Sequence, residues 1–291
     1  MKLFIRAEVN QLHHKGGIVK MYKALTIAGS DSGGGAGIQT DLKTFAALGV
    51  YGTSAITALT AQNTLGVHGI HPVPAAFVAA QMEAVLSDIQ IDAAKTGMLG
   101  DAELITMVAE VLSKYNVRKL VVDPVMVAES GDRLLPAAAV ETLCKKLFPL
   151  AMVITPNLPE AGVLLDREIK TVDEMIWAAQ ELHRFGSQTV LVKGGHLPGE
   201  EMVDVFYDGD TIHLFREQKL PTKHTHGSGC TYAAAITAGL AKGQSPLAAV
   251  KAAKSFITKA IAHGLDVGQG YGPTNPMAVL LTADCADSSQ H

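Results

Sequence analysis

Thr225-His226-Gly227-Ser228-Gly229-Cys230 bring a glycine-rich turn, a hydroxyl and a thiol together just ahead of a small-residue helical stretch that starts at Tyr232. Backbone N–H groups at a helix start lack intrahelical partners, and glycines let them approach an anion with no side chain in between. The turn therefore predicts an anion hole in which Gly227, Ser228 and Gly229 stabilise developing negative charge. Cys230 falls in the first helical turn, where the positive end of the helix dipole favours a thiolate beside the anion. Phosphoryl or acyl transfer needs that pairing of a base or nucleophile with anion-stabilising donors. The same residues also suit a plain helix entry with a buried, inert cysteine.

Further candidates close the apolar runs, because open α/β sheets bind ligands beyond the carboxyl ends of their strands. The first run ends in the glycine-rich segment Gly29 to Gly37, which has neither the G-x-G-x-x-G register of a dinucleotide site nor a Walker-type lysine. Its bare backbone suits close contact with a substrate, and Asp41, one helical turn beyond, either aims at the same place or sits exposed on its helix. Asp123 closes Leu120-Val121-Val122, and Asn157 and Glu160 follow the run Met152 to Thr155. Carboxylates gathered there suit a Mg²⁺ ion, which takes one or two of them plus phosphate oxygens. Asn157 and Glu160 equally suit a helix cap and an early-turn acid. Lys193, ahead of Gly194-Gly195, either reaches a nucleotide phosphate or simply ends a strand. Lys254 shares a helical face with Leu247, Val250, Ile257 and Ile261, so it either snorkels to water or faces a nucleotide. His13, His14, His68, His71, His183 and His224 show no ligand-like spacing.

Alternating elements must position these residues. Apolar runs predict strands at Ala24 to Ala28, Ser54 to Leu59, Ile91 to Thr96, Lys119 to Asp123, Met152 to Thr155 and Thr189 to Lys193. Helical patterns lie between them, at Ile38 to Leu48, Pro74 to Leu86, Asp101 to Lys114, Pro136 to Leu147 and Val172 to Phe185. The alternation predicts an α/β fold with a mostly parallel, doubly wound sheet covered by helices on both faces. Met202 to Tyr207 and Thr211 to Phe215 read as a small edge hairpin, and helices at Thr231 to Leu240 and Pro246 to His263 follow. Residues 1–20 carry no period and read as a disordered or non-native extension; Lys15-Gly16-Gly17 is what a translated ribosome-binding sequence encodes, which points to a start at Met21. Residues 21–281 read as one domain and 282–291 as a frayed tail.

Composition narrows the function. The 291 residues are 48% hydrophobic, which supports an ample core, and 24 basic against 28 acidic residues with no basic run exclude a nucleic-acid footprint. Three cysteines without short spacing argue against a disulfide framework or zinc site and fit a reducing cytoplasm. No apolar stretch reaches membrane-spanning length.

The motifs together resemble the ribokinase-like superfamily of small-molecule kinases, and within it the hydroxymethylpyrimidine/phosphomethylpyrimidine kinases of thiamine biosynthesis. The resemblance spans about Tyr22 to Pro276 and rests on the segments Ala24 to Phe45, Ala58 to Asn63, Lys95 to Met98, Val122 to Met126 and Thr155 to Glu160. It implies a ribokinase-like fold and Gly29, Asp41, Gln62, Met98 and Val125 around an aminopyrimidine, with Gln62 pairing to its edge. It implies ATP over Lys193 and the turn Gly227 to Cys230, beside which Thr225 and Lys254 are further candidates for the nucleotide, and Mg²⁺ near Asp123, Asn157 and Glu160. Most of the superfamily carries Asp at the position of Cys230, and Ser32-Gly33 stands where relatives have Pro-Ser or Ser-Ser. The expected partners are the pyrimidine, ATP and a second copy of the chain in a cytoplasmic homodimer.

The implied activity is ATP- and Mg²⁺-dependent phosphorylation of 4-amino-5-hydroxymethyl-2-methylpyrimidine and then of its monophosphate, with Cys230 assisting deprotonation. A pyridoxal kinase on the same scaffold is the nearest rival, and Gln62 is its discriminator. A cysteine acyl transferase would need a positioned histidine that no motif supplies, and a sensing protein would not need Asp123, Glu160 and Cys230.

Overall fold

The computed structural model describes residues 20–126 and 135–280; apart from Lys20, the expected extension and the tail from 282 lie outside these residues. The strands are β1 (Lys23–Asp31), β2 (Tyr51–Asn63), β3 (Gly66–Pro72), β4 (Ala93–Thr96), β5 (Leu120–Val122), β6 (Val153–Ile154), β7 (Thr189–Val192), β8 (Glu201–Tyr207) and β9 (Ile212–Gln218). They form one sheet in the order β3-β2-β1-β4-β5-β6-β7-β8-β9. Every pair from β2 across to β7 is parallel, while β3, β8 and β9 add antiparallel edges. The doubly wound reading and the β8–β9 hairpin hold.

Helices cover both faces: α1 (Gly37–Ala47), α2 (Ala75–Asp88), α3 (Ala102–Lys114), α4 (Ala137–Thr142), α5 (Leu158–Leu165), α6 (Val172–His183), α7 (Ser228–Ala241) and α8 (Pro246–Ala262). Successive strand residues point to opposite faces, which is why β5 and β6 are apolar throughout. Leu120, Val122, Ile154, Val190 and Val192 enter one core with α2, α3 and α6. Val121, Val153 and Leu191 enter the other with Phe45 of α1 and the helices α7 and α8. The small side chains of Ala233, Ala234, Ala235 and Ala238 let α7 lie against the sheet, buried from Thr231 to Ala241.

Two elements depart from expectation. β2 runs well past Leu59 and turns back antiparallel into β3; most of β3 is exposed, so burial imposed no alternation on its sequence. The eight-residue α5 was too short to leave a helical period. No helix among the described residues is long and apolar enough to cross a membrane.

Lys254 must be corrected here. It neither snorkels nor faces a ligand: it is 4% exposed, and its Nζ lies 2.7 Å from Asp204 Oδ2 on β8. The other oxygen of Asp204 accepts from the Gly194 N–H at 2.9 Å, which fixes the turn just after β7. Gly194 has no alternative there, because a Cβ would overlap the Val203 carbonyl. Lys254→Met should therefore lower stability by about 3–5 kcal/mol in urea unfolding, since it strands a buried carboxylate. Adding Asp204→Asn, which keeps an acceptor for Gly194, should recover most of that loss; a cost under about 1 kcal/mol in the single variant would contradict the assignment.

Candidate active site

A cleft of about 550 Å³ opens at the carboxyl ends of the parallel strands. Gly29, Gln62, Met98 and Val125 line one part of it, and Asp123, Asn157, Glu160, Lys193, Thr225, Gly227, Ser228, Gly229 and Cys230 line the rest. Two glycine-rich segments bring these parts together. Gly227 caps α7 at φ 75°, a left-handed conformation that glycine adopts without strain, and a Cβ on it would overlap the Gly35 carbonyl oxygen. The backbone of the loop after β1 thus lies directly on the backbone of the anion turn.

The loop is held from within by Asp31. Its Oδ1 accepts from Gly33 N–H at 2.8 Å, and its Oδ2 from Gly35 N–H at 3.0 Å, Ala36 N–H at 2.8 Å and His226 Nε2 at 2.9 Å. Burial works against ionisation, but the histidine and the loop amides outweigh it and hold this carboxyl below its ordinary range. On the other side, the Ser32 hydroxyl donates to Gln62 O and accepts from Gln62 N–H, both at 2.8 Å. The Thr60 hydroxyl, whose single proton is shared between Ser30 O at 2.9 Å and Gln62 Oε1 at 3.1 Å, sits beside the Gln62 amide in the cleft.

Charge gathers on the cleft floor. Lys193 Nζ donates to Asp123 Oδ1 at 2.9 Å, and the Thr155 hydroxyl donates to the same oxygen at 3.1 Å. Burial would lower the lysine's pKa, but Asp123 and Glu160 more than compensate and raise it. Asn157 and Glu160 form the capping box of α5: Asn157 Oδ1 accepts from Glu160 N–H at 2.9 Å, and Glu160 Oε2 from Asn157 N–H at 2.8 Å. The cap alternative is thus realised, and Asn157's oxygen is occupied by it. Burial, opposed by Lys193 and reinforced by Asp123, pushes Glu160 up to about 7. No cluster of three or more His, Cys, Asp or Glu side chains suited to a metal occurs among the described residues. A Mg²⁺ ion bound mainly by phosphate oxygens needs less, and Asp123 Oδ2, on the side of Gly229, is the carboxylate oxygen not taken by Lys193 or Thr155.

Two expectations change. Asp41 does not reach the cleft: it is fully buried beneath it, with its Oδ2 accepting from the Thr26 hydroxyl at 2.6 Å and from Lys95 Nζ at 2.9 Å. Cys230 does line the cleft, at the third residue of α7, but the helix end does not hold it as a thiolate. Burial pushes the thiol up to about 12; Lys95 and the Gly37 N–H pull it down, while Asp41 and Asp123 push it further up. The resting side chain is neutral.

Asp31, His226 and Lys95 escaped the sequence reading. Lys95 is a charge inside a four-residue strand buried along its whole length, a signal open to anyone asking what pairs it. His226 lies inside the anion turn, where the glycines dominate the sequence signal.

The chain matches the family described as phosphomethylpyrimidine kinase over residues 31–275. It is 53% identical over 263 residues to the thiamine biosynthesis bifunctional protein ThiED of Geobacter sulfurreducens, covering 90% of this chain but only 53% of that longer protein. It is 48% identical over 261 residues to the hydroxymethylpyrimidine/phosphomethylpyrimidine kinase of Bacillus subtilis, covering 89% of this chain and 96% of the relative. Among solved structures it superposes on a Bacillus subtilis pyridoxal kinase in complex with ADP with a TM-score of 0.85 at 44% identity, over 90% of this chain and 100% of that one.

Proposed function

The chain belongs to the phosphomethylpyrimidine kinase family, and from that premise we propose that it phosphorylates 4-amino-5-hydroxymethyl-2-methylpyrimidine with ATP and then its monophosphate, in thiamine biosynthesis. One observation carries this reading: an amide-bearing helix start and a glutamine-bearing, partly apolar wall meet in one cleft. The wall suits a flat heteroaromatic ring, and the helix start suits a transferred phosphoryl group.

Gln62 offers a donor and an acceptor to the ring nitrogen and exocyclic amine of the pyrimidine, between Met98 and Val125. Lys193 and Thr225 face the nucleotide phosphates, and the N–H groups of Gly227, Gly229 and Cys230 meet charge as it develops on the transferred group, while the Ser228 N–H donates to Thr225 O at 3.0 Å and shapes the turn. Asp123, with Glu160 behind it, would hold Mg²⁺, which supplies charge neutralisation on the ATP phosphates when bound. A small thiolate population of Cys230, which the ammonium of Lys95 favours, accepts the proton of the hydroxymethyl group. Ionising a thiol with a pKa of about 12 near pH 7.5 costs about 6 kcal/mol. That fits inside the barrier of about 17 kcal/mol that corresponds to a turnover of about 1 s⁻¹.

We also propose a cytoplasmic homodimer. Exposed Tyr51, Leu59 and Ile70 on the β2–β3 edge and Phe77 on α2 supply apolar surface for a second copy.

Incubation with ATP, Mg²⁺ and either the pyrimidine alcohol or pyridoxal, with products separated by mass, tests the reading directly. Mono- and diphosphorylated pyrimidine are expected, and exclusive phosphorylation of pyridoxal would overturn it. Gln62→Met should lower kcat/KM for the pyrimidine at least roughly tenfold, through unpaired groups worth about 1–3 kcal/mol each, and spare any pyridoxal activity. Equal losses on both substrates would remove Gln62 from ring recognition. If the minor thiolate is the base, kcat should climb about tenfold per pH unit from roughly pH 6.5 to 8.5, and Cys230→Asp should flatten that profile. A flat profile in the parent protein would deny the thiol a base role.

A further inference from the structure

The bond between Asp31 and His226 lies where the ring-facing loop meets the phosphate-facing turn. Asp31 belongs to the segment that carries Gly29 and, through Ser32, holds the backbone of Gln62. His226 immediately precedes Gly227. Both side chains line the cleft and are largely buried, at 3% and 13% exposure.

Neither partner has slack. Asp31 already accepts from three loop amides, so its carboxylate sits in one orientation. His226 is fixed through its main chain: its N–H donates to Gly272 O at 3.1 Å, and its carbonyl accepts from Thr274 N–H at 3.1 Å. Its ring packs so closely on Gly35 that a Cβ there would overlap it. The side-chain bond therefore ties the loop to the turn beside the backbone contact of Gly227 on Gly35, and it fastens the two at that distance.

We propose that His226, anchored by Asp31, is a positioning residue for phosphoryl transfer: it holds the acceptor-bearing loop at a fixed distance from the amides that receive the transferred group. The proposal rests on the kinase reading above. In-line transfer depends steeply on the gap between attacking oxygen and phosphorus, and a misplacement of about 1 Å costs on the order of 10²-fold in rate. Binding of either substrate alone does not depend on that gap. The effect therefore belongs in kcat, with little in KM.

Three variants test this. His226→Leu fills a similar volume on Gly35 but cannot donate to Asp31, and His226→Gln restores a donor. Asp31→Asn weakens the acceptor from the other side. Steady-state kinetics should be measured for both substrates, with pyrimidine binding followed by calorimetry without ATP. His226→Leu and Asp31→Asn should each lose roughly 10²-fold in kcat with KM and pyrimidine affinity within about threefold, and His226→Gln should return to within about tenfold of the parent. If His226→Leu does not fold, Asp31→Asn and His226→Gln decide by the same criteria. An unchanged kcat in a folded Leu or Asn variant would overturn the proposal, as would a folded Gln variant no faster than Leu. A loss confined to KM would overturn it too, by making the pair a binding element. Failure of the kinase reading looks different: the parent protein itself would phosphorylate neither pyrimidine species.

Discussion

The site depends on a contact between two stretches of backbone that admits no side chain. Gly227 must take a left-handed conformation to start α7, and in doing so it brings its α-carbon against the Gly35 carbonyl. This closure converts two unremarkable features, a helix N-terminus and a strand-end loop, into a single cleft. A helix start alone is a general anion site. It becomes specific here because the loop after β1 lies on it, and that loop is tied to Gln62 through Ser32.

Beneath this closure, buried charge has been arranged so that each group has a partner. Lys95 pairs with Asp41, Lys193 with Asp123 and Lys254 with Asp204. Such pairs add little net stability, since desolvation offsets most of their attraction, but breaking one leaves a buried charge exposed to the full penalty. Their value is positional. Lys254 steadies the turn after Lys193, Lys193 and Asp123 hold the floor under the anion turn, and Lys95 keeps positive charge near Cys230. The same floor explains why the thiol rests protonated: two carboxylates and burial act against one ammonium and one amide.

Much of this was legible in the sequence because parallel sheets leave a strong trace. Continuous apolar runs such as Leu120-Val121-Val122 admit few other readings, and the polar residues at their ends fall on the ligand-binding edge. The anion turn was equally legible, since its glycines and its position before a helix carry their own physical reason. What periodicity does not encode is the direction of a side chain at a strand end or helix start. Spacing leaves Asp41 and Lys254 open between the cleft and the solvent, and both instead turn inward because a cation or anion from a distant strand awaits them there. The β3 strand was missed because it is exposed, so no burial pattern marks it. The charge state of Cys230 depends on residues 41, 95 and 123, which only the fold brings near it.

The closure of Gly227 on Gly35 positions the donors that stabilise transfer. Gly227→Ala disturbs that contact alone, because the added methyl must push the turn away from the loop and strain a left-handed backbone. The decisive measurement is kcat for pyrimidine phosphorylation alongside pyrimidine affinity without ATP, in a variant that keeps a cooperative melting transition. The expected kcat is lower by roughly 10²–10³-fold, the worth of a displaced oxyanion donor, with affinity changed less than about threefold. A folded Gly227→Ala protein that turns over at the parent rate would contradict it.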